Sequence, residues 1–279
     1  ELNATQLLLE TITGRATTNL AMVELASGDP RVAVALVDEA RSMARRANDP
    51  VNEEDALGQL SLAWAALGDA GRALATADSA LSVARGHGMR EKQASDLLVL
   101  ATLYALTGEA DRAIQHYEAS RVLYDSLELS TEAATVLRHE ALLRASRGAY
   151  TQASRVVERA LTQHRASDAR LETFYDLLAL ADIDVQAGNL VLASRAVAEA
   201  ERTAADFGGP NVRASLALAR ARVHDARHES AGVLAELGAA EADLAVADAE
   251  SRLDAFWLRM RAHAALGQID AAVAAARRT

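Results

Sequence analysis

The residues that could do chemistry are few. His224 and His228 stand four apart, a spacing that can chelate a divalent metal when both rings leave one helix face, and Asp225 and Asp182 are conceivable companions. The second histidine falls at an expected turn, and neither an HExxH context nor a cysteine accompanies the pair, so ordinary polar histidines are expected. Asp176, Asp182 and Asp184 raise the question of paired carboxylates. On a helix Asp176 and Asp184 nearly align, but about 12 Å apart along the axis, too far to share a proton. The chain has no GxGxxG, GxxxxGK[ST] or GxSxG, and Gly208, Gly209 and Pro210 read as a turn, not a phosphate cradle. The absence of cysteine excludes disulfides, thiolate-bound zinc and thiol nucleophiles. The expectation is a chain without catalytic residues, metal or cofactor.

Charge narrows the partners. Twenty-nine basic and 39 acidic residues leave a formal −10, spread along the chain, whereas nucleic acid requires a basic face. The strip Arg41, Arg45, Arg46 reads as the solvated end of a helix, where the last turn favours positive charge. No run of apolar residues is long enough to span a membrane. A cytoplasmic setting is expected, and the start at Glu1 reads as a piece of something longer.

The elements that must position any site repeat. Gly28, Gly68, Gly108, Gly148 and Gly188 stand forty residues apart, each closing an apolar-periodic stretch where a helix can end in the left-handed conformation. Asp29, Asp69 and Asn189 come next as candidate N-caps, and Pro30 suits a first helical turn. Small residues come five and twelve places after each glycine: Ala33, Ala73, Ala113, Ala153 and Ala193, then Ala40, Ala80, Ser120, Ala160 and Ala200. Bulk answers before it, at Leu57, Leu97, Leu137 and Leu177 and at Leu20, Leu60, Leu100 and Leu180. This is a helical hairpin closed by small side chains that let two helices approach. A shift of thirty-nine places Leu216, Arg227, Gly232 and Ala239 in a sixth, degenerate unit, and Phe256, Gly267 and Ala272 in a seventh. The reading is a single all-α solenoid over 1–279, with units near 14–50, 51–90, 91–130, 131–170, 171–209, 210–249 and 250–279. First helices are expected near 11–27, 51–67, 90–107, 130–147, 169–187, 211–226 and 250–266, and the loosest stretch at Phe207 to Pro210, a candidate bend.

Leu60, Trp64, Gly68, Asp69, Ala73 and Ala80 carry a pattern that resembles the tetratricopeptide repeat (TPR), with a unit six residues longer than the usual thirty-four. Such lengthened units resemble those of bacterial signalling regulators and of repeats beside caspase-like proteases. The resemblance implies a right-handed superhelical solenoid whose first helices line a concave ligand surface. Carried over, it places Thr18, Gly58, Leu98, Arg138, Leu178, Ala217 and Trp257 in one row and Met22, Leu62, Thr102, Leu142, Asp182, Ala221 and Arg261 in another. The family's Lys and Asn clamp for a C-terminal carboxylate is missing from these rows, which suit an amphipathic helix or an apolar peptide, unless the leucines are buried between helices.

Unit four departs from its siblings. Where others carry leucine it has Glu140, flanked by Arg138 and His139, and a buried carboxylate must find a partner, for which Arg144 one turn on is available. These polar residues are candidate anchors or an ion pair between helices. Tyr104, Tyr117, Tyr124, Tyr150, Phe174 and Tyr175 gather in the central units, mostly as core. A protein or peptide partner is expected, including a segment of the parent protein. The alternatives are a sensor arm controlling an adjoining domain and a receptor for a short peptide or small molecule.

Overall fold

The computed structural model describes residues 3–27 and 29–276; Gly28 and the side chain of Ala272 lie outside the described residues. Every regular element among the described residues is a helix. The first helices of successive hairpins are α1 (Ala4–Ser27), α3 (Pro50–Ala66), α5 (Arg90–Leu106), α7 (Ser130–Ser146), α9 (Arg170–Gln186), α11 (Pro210–Ala226) and α14 (Ala249–Ala265). Their second helices are α2 (Pro30–Ala47), α4 (Ala70–Gly86), α6 (Ala110–Ser126), α8 (Tyr150–Ala166), α10 (Leu190–Thr203), α12 (Ser230–Ala239) with α13 (Glu241–Ala245), and α15 (Ile269–Ala276). The chain divides into two compact units, Glu1–Val136 and Leu137–Thr279, with the division inside α7.

Local chemistry starts and stops these helices. Asp29, Asp49, Asp69 and Asp248 accept from the backbone N–H three residues on, at 2.8–3.2 Å, and Pro30, Pro50 and Pro210 open helices where a missing N–H costs nothing. Asn189 does not cap; its amide donates instead to the Asp184 carboxylate at 3.4 Å. The repeat glycines Gly68, Gly108, Gly148 and Gly188 all take positive φ. A second left-handed turn, between hairpins, recurs at Asn48, Gly88, Glu128 and Asp168, again forty residues apart.

In the first unit, Ala21, Ala33 and Val37 pack with Ala56, Leu60 and Ala63, and Ala73, Ala77 and Leu81 with Leu97, Leu100 and Leu103. Small residues bring backbones close enough for direct bonds: Ser61 Oγ donates to the Ala73 carbonyl at 3.0 Å and Ser120 Oγ to that of Ala94 at 2.7 Å. In the second unit Ala141, Ala145, Ala153, Val157, Ala179 and Ile183 form the corresponding core.

The register break is not where the glycine spacing placed it. α9 and α11 begin forty residues apart, and His228, at φ 61°, takes the turn position assigned to Arg227. Val233 and Ala240, both buried, replace Gly232 and Ala239 at the helix contact. The missing residue lies in the α12–α13 stretch, since α14 begins thirty-nine after α11. Neither arginine nor histidine carries a turn signal, so spacing alone admits either offset here. Nor is Phe207 loose: α10 ends early at Thr203, and the Phe207 ring meets Phe174 edge-on, centroids 6.1 Å apart, beneath the Arg170 guanidinium at 5.6 Å.

Candidate partner-binding site

The first helices α3, α5, α9 and α11 each turn one side toward their own second helix and another toward the preceding hairpin, leaving a stripe of positions facing neither. In the first unit that stripe carries Met22 and Leu62, both exposed, and Leu98 and Thr102, half-buried. Thr18, assigned to the same surface, is buried and bonds back to the Gly14 carbonyl at 3.1 Å. Thr102 Oγ1 donates to the Leu98 carbonyl at 3.0 Å and lies 3.5 Å from the Tyr117 hydroxyl. Leu106, largely exposed at the end of α5, extends the stripe and was not singled out from the sequence.

The second unit is more polar. Arg138 is not a free anchor: its guanidinium donates to Glu172 Oε2 at 2.6 Å, Asp176 Oδ1 at 3.0 Å and the Glu172 carbonyl at 3.3 Å, and lies 5.8 Å from the Tyr175 ring centre. Asp176 Oδ2 in turn stands 2.6 Å from His164 Nδ1, and both side chains are fully buried. This four-residue network joins α7, α8 and α9. Sequence spacing does not single out His164. Its only signal is positional: Ala44, Ala84 and Tyr124 stand in the same place of earlier units, and an imidazole there needs a polar partner. Glu140 does pair with Arg144, at 2.6 Å, and Arg144 also reaches Gln152 Oε1 at 3.0 Å. Burial, with the Arg138 charge alongside, pushes His139 down to about 4, so its ring is neutral near pH 7.

Leu142 and Trp257 are exposed on the stripe and Leu178 is half-buried. Ala217 and Ala221 are buried, so Leu218 and Arg222 hold the α11 positions instead, as the corrected register requires. Leu218 is itself buried, and Arg222 bridges Asp182 at 3.8 Å and Asp254 at 2.6 Å. Arg261 pairs with Asp225 in the same manner. Successive first helices are thus tied by alternating charges beside the exposed Trp257, whose ring meets Phe256 at 5.3 Å. Of the aromatic cluster, Tyr117, Tyr124 and Phe174 are buried core, while Tyr104, Tyr150 and Tyr175 are partly exposed. The Arg41, Arg45 and Arg46 strip is ion-paired, Arg45 with Glu53 at 3.5 Å and Arg46 with Glu10 at 2.7 Å.

No family model matches the sequence, and no curated protein does. Solved structures do resemble the fold. A Rap protein complexed with Competence and Sporulation Factor superposes with a TM-score of 0.73 at 14% identity, over 100% of this chain and 75% of that one. Aspartyl phosphate phosphatase F from Bacillus subtilis gives 0.74 at 12% identity, over 98% and 70%. The apo quorum sensor NprR from B. thuringiensis gives 0.65 at 14% identity, over 94% and 73%.

The fold is that of tetratricopeptide-like helical repeats.

The forty-residue hairpins of this TPR fold carry a first-helix stripe in each of the two compact units. No described helix is long and apolar enough to cross a membrane.

Proposed function

We propose that this TPR chain is a non-catalytic module that binds a protein or peptide along the exposed stripe of its first helices. The observation that carries the reading is the placement of Met22 and Leu62 in the first unit, and of Leu142 and Trp257 in the second, on a side that neither second helices nor neighbouring hairpins cover. Large apolar side chains about half exposed on one face each stand to gain about 1 kcal/mol on full burial, which favours an apolar segment or an amphipathic helix. The Arg222–Asp254 and Arg261–Asp225 pairs beside Trp257 would orient that segment more than hold it, since exposed pairs contribute little affinity. Two further observations support the reading. The Rap neighbour is described in complex with Competence and Sporulation Factor, and NprR is described as a quorum sensor. A sensor arm of a larger regulator would use the same stripe.

Trp257 supplies the assay. The only other tryptophan, Trp64, is half-buried beneath Arg72, whose guanidinium lies 3.6 Å from its ring centre, so Trp64→Phe leaves an exposed reporter. Titration with an array of short apolar and amphipathic peptides should quench or blue-shift Trp257 with selected sequences. The same peptides should lose binding to Leu62→Ser or Leu142→Ser, both exposed and spared by the fold. Undiminished binding to these variants would refute the assignment.

A further inference from the structure

The repeat position shared by Thr18, Gly58, Leu98, Arg138, Leu178 and Leu218 carries a side chain on every first helix from α1 to α11 except α3. In the second unit that side chain fills the space against the next first helix. Arg138 reaches the residues 34 and 38 places on, donating to Glu172 Oε2 at 2.6 Å and to the fully buried Asp176 Oδ1 at 3.0 Å. Leu178 shares a core with Val212 and Leu216, which stand at the same two offsets from it. On α3 the position falls on Gly58, in the helix interior with an ordinary helical φ, where glycine weakens a helix relative to alanine. Packing does not require it: a Cβ added at Gly58 would meet no neighbouring atom within 4 Å, whereas one added at Gly14 would lie 3.4 Å from Met43 Cβ.

The offsets that Arg138 spans lead from Gly58 to Lys92 and Asp96 on α5. Asp96 thus stands in the place of Asp176 and, like it, is buried. It differs in having no cation: its Oδ2 is buried without a hydrogen-bond partner. Lys92, in the place of Glu172, turns instead to Glu54 Oε2 at 3.0 Å and to Asp55, both on α3. Three carboxyl groups therefore gather beside the gap with a single ammonium among them, so the site can take a second positive charge. The gap opens on the first-helix stripe, where Gly58 and Asp55 are partly exposed and Leu62, one turn on, is exposed.

We propose that the gap over Gly58 receives an arginine side chain of the partner polypeptide, whose guanidinium bonds Asp96 and Asp55 as that of Arg138 bonds Asp176 and Glu172. The proposal rests on the stripe reading above and specifies one residue of the partner. Arginine fits better than lysine because its planar fork can bond two carboxylates at once, as Arg138 does, and its long stem carries the charge from the exposed stripe to a buried carboxylate. The apolar neighbours of that arginine lie over Leu62 and Leu98. In the free chain burial pushes Asp96 up to about 8, so it holds a proton near pH 7; the groups facing it are Glu54 and Asp55 from α3, Lys92 from α5 and the Tyr124 hydroxyl from α6. The guanidinium takes the place of that proton, which passes to the buffer.

The probes are a labelled amphipathic helical peptide of leucine, alanine and glutamine with one central arginine, and its twin with citrulline there, equal in shape but uncharged. By fluorescence anisotropy the intact protein should bind the arginine peptide at least about tenfold more tightly than the twin. Calorimetry near pH 7 in buffers of different ionisation enthalpy should show proton release with the arginine peptide alone. Gly58→Arg fills the gap from within the chain and Asp96→Asn removes the carboxylate; each should abolish both the preference and the proton release, with helicity kept by circular dichroism. Gly58→Arg should also withstand more urea than Gly58→Gln, an advantage that disappears when Asp96→Asn is added. Leu62→Ser should weaken both peptides alike and leave their ratio unchanged. If both peptides bind Leu62→Ser as they bind the native chain, while Gly58→Arg still abolishes the preference, the stripe reading fails and the arginine site stands. Equal binding of the twins to the native chain, no binding by either, or a preference that survives Gly58→Arg would overturn the proposal.

Discussion

Asp96 should make the stability of the first unit depend on pH. Its carboxyl, on α5, is buried beside that of Glu54 on α3, itself buried. Lys92 Nζ is 3.0 Å from Glu54 Oε2 and also bonds Asp55, so its ammonium is shared by those two carboxylates and does not bond Asp96. Asp96 Oδ2 has no hydrogen-bond partner of its own. Burial, reinforced by the Glu54 charge, pushes Asp96 up to about 8, and burial also raises Glu54, with Lys92 opposing. Tyr124 on α6 faces the same cluster and is likewise raised by burial. An unfolded aspartate loses its proton near pH 4, roughly, so between about pH 4 and about pH 8 the folded chain holds one proton more than the unfolded one. The contribution of Asp96 to stability is full below that window and lost as pH rises through it, at about 1.4 kcal/mol per pH unit. Relaxation and water entry return part of this, leaving a loss on the order of 2 kcal/mol or more between about pH 5 and about pH 8. Asp96→Asn keeps the shape and cannot ionise. Urea unfolding followed by circular dichroism across that window should show the native chain falling relative to the variant, the two differing least at the acid end. Parallel pH profiles would refute the account of the α3–α5 contact.

Two other sites give measurable outcomes. Asp176→Leu removes the buried carboxylate that Arg138 and His164 share, leaving Arg138 its pair with Glu172, and should cost about 3 kcal/mol in the same unfolding assay; a loss under about 1 kcal/mol would mean the network is incidental. His228→Gly relieves a left-handed turn at φ 61° worth about 1–2 kcal/mol, less about 0.5–1 kcal/mol of added chain freedom, and should raise the melting temperature slightly. A lowered melting temperature would show that the histidine side chain holds that turn.

The periodic apolar pattern, the turn glycines and the small residues at Ala73, Ala80 and their counterparts determined the hairpins and their succession, because helix formation and hairpin closure depend on neighbours within about forty residues, and these are written locally. The pairing of Glu140 with Arg144 was legible for the same reason, since i and i+4 face each other on any helix. Legibility failed at His228, where a histidine does a glycine's work because the flanking helices hold it there, and at the α12–α13 break, where a one-residue deletion is invisible without a turn signal. It failed again for Arg138, which looked like a surface anchor and is drawn to Glu172 and Asp176 on the next first helix, with His164 completing the set from the helix between. Only the packed structure decided which leucines are covered: Leu20 and Leu60 hold the same place in the repeat and read alike, yet one is in water and the other is not. Exposure is a property of what lies next to a side chain, and spacing within the repeat does not name that neighbour.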